Sequence, residues 1–193
     1  MAVMKQVRRW FVSAATLIAA FAVSPLSAQI AVEGRDADIF AVLLLGVSRD
    51  DGGSNYVVDE TPLGARKLSD AEWQWFGPRT AALRAVSETV AAAPAGPFDS
   101  ASFPRRVTLI TRDVAQKYRR AEEAVWVRFR DEFKARSLLR FSRPVITDDG
   151  LDALVWSAQA CGSMCGRTDV HWLHRVSRLD PWTIAKSLPK SIS

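Results

Sequence analysis

The chain is poor in the residues that usually announce chemistry. It has 193 residues but only two cysteines, two histidines and two tyrosines. Two cysteines leave one intramolecular pair. Gly52-Gly53 has no Lys-Ser after it, so it is not a phosphate loop, and Ser163 does not stand in a Gly-x-Ser-x-Gly elbow. The paired acids Asp148-Asp149 and Glu122-Glu123 are sequence neighbours whose side chains point apart, which does not suit a hydrolase dyad. No internal repeat or low-complexity segment is visible, and no cofactor is expected. Nor is there an apolar run long enough to cross a bilayer. The run from Trp10 to Val23 has 14 residues and is followed by Pro25, short of the roughly 18 to 20 that a span needs.

That short run instead has the layout of a secretory signal. Lys5, Arg8 and Arg9 precede it, Pro25 breaks it, and Ser27-Ala28 offers small residues for cleavage before Gln29. The expected organisation is a signal peptide over 1–28 and one globular domain over 29–193, with a helical part at 29–103 and a helix-plus-sheet part at 104–193. A periplasmic or secreted location follows, with membrane contact only through the signal. Removing the signal leaves 23 basic and 21 acidic residues, a net +2, so the basic composition does not imply a nucleic-acid partner. The excess sits between Arg105 and Arg143, with twelve basic residues against five acidic ones. A solvated helix face explains it; weak contact with an anionic surface is the alternative. On that alternative, Arg119, Arg120 and Arg128 would be surface residues whose reversal to glutamate spares stability.

Periodicity outlines the fold. The stretch from Asp36 to Gly46 reads as a buried helix, and Tyr56-Val57-Val58 as a brief strand. Ser69 and Glu72 form a capping box ahead of Trp73 and Phe76. A helix follows Gly77-Pro78 through Leu83, Val86 and Val90, a loop runs from Ala93 to Phe103, and Val107 to Ile110 is a strand. From Arg112 to about Arg136, Val114, Tyr118, Ala121, Val125, Phe129 and Phe133 mark one stripe over about six turns, which predicts a single long amphipathic helix. Leu139 to Thr147, Ala153 to Ala160, Val170 to Val176 and Trp182 to Leu188 then alternate as strands, the first two joined through Asp148-Asp149-Gly150. The expected class is α+β: N-terminal helices, then a long helix packed on a C-terminal four-stranded antiparallel meander.

In an oxidising compartment Cys161 and Cys165 are expected to form a disulfide at a hairpin turn. A redox role fits less well, because three residues separate them in a strand context. Gly162, Ser163, Met164 and Arg167 would form a rigid tip suited to a partner contact. A zinc site with His171 and His174 is disfavoured, because residues three apart on a strand face opposite ways; no metal is expected. His174 shares a face with Trp172, and His171 lies on the other. A pocket between the long helix and the sheet would be lined by Arg143, Trp156, Trp172 and His174.

The segments Phe141-Ser142-Arg143-Pro144-Val145, Ala153-Leu154-Val155-Trp156, Cys161-Gly162 with Cys165-Gly166, Trp182-Thr183-Ile184 and the terminal Ser191-Ile192-Ser193 carry a resemblance. The last 55 or so residues resemble a family of uncharacterised exported bacterial proteins with a Cys-Gly-x-x-Cys-Gly hairpin. This chain departs from the family's usual Trp-Ile-Ser ending, reading Lys190-Ser191-Ile192-Ser193. The resemblance implies export and a stapled hairpin, and no activity. The expected function is an exported, non-enzymatic binding or envelope-associated protein whose partner is a protein or envelope component. The alternative is a small periplasmic enzyme or small-molecule binder using the pocket.

Overall fold

A computed structural model describes residues 36–46, 55–90, 96–104, 106–119, 121–162 and 164–192. The expected signal over 1–28 lies outside these residues, as does Ser163. The elements are helix α1 (36–46), strand β1 (Tyr56–Asp59), helices α2 (Asp70–Phe76) and α3 (Ala81–Val90), strand β2 (Val107–Ile110), helices α4 (Arg112–Arg119) and α5 (Glu123–Phe133), and strands β3 (Leu138–Phe141), β4 (Val145–Ile146), β5 (Asp152–Gly162), β6 (Cys165–His174) and β7 (Thr183–Ile192). Short 3-10 turns occupy Pro78–Thr80 and Ser100–Ser102.

The class is α+β, but the expected four-stranded antiparallel meander is not the sheet. Among the described residues the sheet has seven strands in the order β2-β1-β3-β5-β6-β7, with β4 beside β5, and it is mixed. Strands β2 and β3 flank β1 in parallel, while β3, β5, β6 and β7 pair antiparallel. The reason is burial. Val57 and Val58 are fully buried, so β1 needs a partner on each edge and takes both from later in the chain.

The single long helix is also corrected. The helix stops at Arg119 and restarts at Glu123, with Glu122 in an extended conformation at the new start. In one straight helix Tyr118 and Phe133 would stand roughly 22 Å apart; their ring centroids are 6.1 Å apart, and Tyr118 also stacks edge-on to Phe129 at 4.9 Å. Folding back lets one apolar stripe bury itself against its own second half and against Val57 and Leu138.

Alternation along β5 defines two sheet faces. Ala153 and Val155 join α1, Phe98, Phe103, Phe141 and Trp182 in one core. Leu154 and Trp156 join Trp73, Phe76, Leu83 and Trp172 beneath α2 and α3. Helices α4 and α5 cover the β1–β3 end of this second face. Among the described helices, α1 alone lies on the opposite side of the sheet.

Candidate functional site

Arg143, Trp156, Trp172 and His174 do not meet in one pocket. Arg143 fastens α1 to the segment before the Ser100–Ser102 turn. Its guanidinium lies 3.5 Å from the Asp36 carboxylate, donates to the Pro97 carbonyl at 3.0 Å and sits over the Phe98 ring at 4.7 Å. Trp156 and Trp172 are buried in the core under α2 and α3. Trp172 Nε1 donates to Asp152 Oδ1 at 2.7 Å, and the same oxygen lies 2.9 Å from His174 Nδ1. At the β5–β6 hairpin, Cys161 and Cys165 stand at disulfide distance, with Cα atoms 5.1 Å apart. Met164 is almost fully exposed there. Gly162 pairs with Cys165, and an added Cβ on it would meet Glu123 at 3.0 Å. Arg167 turns from the tip towards Asp169. Among the described residues, no group of three or more histidine, cysteine or acidic side chains could hold a metal ion.

The polar constellation lies on the α1 face. Val155 pairs with His171 across β5 and β6, Ser157 with Asp169, and His171 with Ser187 across β6 and β7. These pairings put Ser157, His171 and Ser187 on one face in a row over three strands. His171 Nε2 is 2.8 Å from Ser157 Oγ, and its Nδ1 is 2.8 Å from Ser187 Oγ. Beside them Arg167 Nε reaches Asp169 at 2.7 Å, so the two charges offset one another. A cavity of about 170 Å³ opens over this row. Its apolar wall is Leu43, Leu139, Phe141 and Ile184, and the end of α1 at Gly46 closes one side.

Burial pushes the His171 imidazole down to about 4, with Asp169 acting weakly against this and Arg167 with it. The ring is neutral at physiological pH, so one nitrogen donates and the other accepts. One serine must then accept from the ring and keep its own hydroxyl hydrogen free. The other donates to the ring and keeps lone pairs free. The row thus offers a guest both a donor and an acceptor. A ring held this far down is a weak base, and its neighbours are two hydroxyls rather than a carboxylate, which does not suit activation of either serine.

Sequence reasoning placed His171 on the face opposite Trp172, and the strand pairing does so too. The alternation alone did not single out Ser157, Gln159, Asp169 or Ser187. The available signal was the coincidence of a histidine with serines in three consecutive alternating strands. A second, open groove of about 660 Å³ runs along α2 and α3, lined by Asp70, Trp73 and Arg84; its Asp70 and Arg84 pair with each other at 2.7 Å.

No protein-family model, no curated protein and no solved structure matches the chain.

Proposed function

We propose that the protein is an exported binder of a small neutral molecule, held between α1 and the sheet. The observation that carries this reading is the His171 imidazole suspended between Ser157 and Ser187 at the floor of the cavity. The hydroxyls offer complementary hydrogen-bonding capacity, the adjacent Arg167–Asp169 pair adds no net charge, and the opposite wall is apolar. A guest with a hydroxyl or amide at one end and an apolar body fits that arrangement. An apolar cavity of about 150 Å³ holds benzene, so the guest has roughly six to ten heavy atoms. Export rests on the signal-like first 28 residues and on the hairpin resemblance, and the cysteine pair at bonding distance is consistent with an oxidising compartment.

Calorimetric titration with short alcohols, phenols and small carboxamides tests the binding. At least one class is expected to bind saturably and to lose about tenfold in affinity in Ser187→Ala, the typical effect of one hydrogen bond. Heats of dilution alone for all three classes would defeat the reading.

A further inference from the structure

A second site lies on the other face of the sheet, under the α4–α5 junction. Asp59 ends β1 in register with Ile110, which ends β2. Val58 pairs with Leu139 of β3, so Arg140 follows one residue on at the same level. This is the carboxyl end of three parallel strands, the edge at which open parallel sheets commonly hold ligands.

Among the described residues, the charges gathered there do not balance. Asp59 is fully buried. Its Oδ1 accepts from the Thr61 amide at 2.9 Å; Oδ2 is paired with Arg119 from the end of α4 and lies 3.3 Å from Arg140 Nε. One carboxylate therefore faces two guanidinium groups. The hydrogen bonds are incomplete too. The Nε atoms of Arg119 and Arg140 are both buried without a hydrogen-bond partner among the described residues. Each side chain as a whole still retains about a quarter of its exposure, 25% and 23%, so part of it remains open to solvent.

A structural lock on Asp59 would need one arginine. The second adds repulsion: burial, and after it the Arg119 charge, lower the Arg140 pKa, Asp59 opposes them, and Arg112 lowers it further. A partly buried excess of positive charge costs stability unless an anion offsets it. Guanidinium forks with N–H groups to spare match the oxygens of a phosphoryl or sulfuryl group.

We propose that Arg119 and Arg140 form a binding site for a tetrahedral oxyanion of the phosphate or phosphate-monoester class, with Asp59 holding the two arginines in place. The site is distinct from the α1 cavity and does not depend on what that cavity holds.

The test is thermal unfolding of the full chain in inorganic phosphate, sulfate or glycerol 3-phosphate, at constant ionic strength maintained with sodium chloride. A saturable rise in Tm with at least one of the three is expected. Stronger stabilisation by glycerol 3-phosphate assigns the site to an ester, and stronger stabilisation by inorganic phosphate to the free ion; both support the proposal. Arg140→Lys keeps the charge beside Asp59 while losing the fork and should weaken the apparent affinity about tenfold. Arg128→Gln, on the exposed side of α5, should change nothing. Absence of saturation with all three anions overturns the proposal, and so does equal weakening in Arg128→Gln and Arg140→Lys.

Discussion

His171 is the residue on which the α1-face site turns, and its protonation is readable in stability. The unfolded imidazole titrates near 6.5 and the folded one near 4. Between those values the unfolded chain binds more protons, so stability falls as pH drops from about 6.5 towards 4, and this loss levels off below 4. The full effect is about 3 kcal/mol. Urea unfolding across this window should show His171→Gln losing a slope of up to about 1.4 kcal/mol per pH unit relative to the parent; identical slopes would show that the ring is not held neutral. Arg119 carries the opposite lesson. Its place in a basic run made it look like one of a set of surface charges, but it is paired with a fully buried carboxylate. Arg119→Glu would set two carboxylates together, with the Arg140 guanidinium beside them. A loss of about 3 to 5 kcal/mol is expected in chemical denaturation, where Arg128→Glu should cost less than about 0.5.

Among the elements, those specified by local chemistry were legible and those specified by distant partners were not. Helix α1 spans 36–46 as its periodicity predicts, β2 spans Val107–Ile110, and the Ser69–Glu72 box caps α2 with both reciprocal hydrogen bonds. The division of α4 from α5 left no trace in the pattern, because Val114, Tyr118, Ala121 and Val125 keep helical spacing straight through it. Only the aromatic contacts that require the fold-back reveal it. The β5–β6 hairpin belongs to this scale as well. Closing a five-residue loop contributes about 2 kcal/mol on the chain-entropy account. Replacing Cys161 and Cys165 together by serine should therefore lower stability by about that amount without loss of fold. Thiol titration of the denatured, unreduced parent should find no free sulfhydryl; one free thiol per cysteine would remove the staple.

For the whole molecule, the sequence showed an α+β chain with alternating strands towards its end, but not a seven-stranded mixed sheet. Pairing of β1 with β2 and β3 joins residues some fifty and eighty positions apart, and no local pattern encodes a parallel partner. The same gap hid the cavity. With α1 counted as one N-terminal helix among several, nothing in β5, β6 or β7 told which of their faces it would cover, so His171 was placed only on the face opposite Trp172, and Trp172 in the expected pocket. Export is a whole-molecule expectation too: intact-mass measurement should find the mature chain beginning within a few residues of Gln29, and a full-length product in the membrane would contradict the signal reading. The binding account is tested most directly by the ring nitrogen resonances of His171, followed by ¹⁵N NMR during addition of alcohols, phenols and carboxamides. A neutral ring near pH 6, with both nitrogens shifting saturably as one of these classes binds, is the predicted result; a ring that titrates near 6.5 and is unmoved by every class would contradict it.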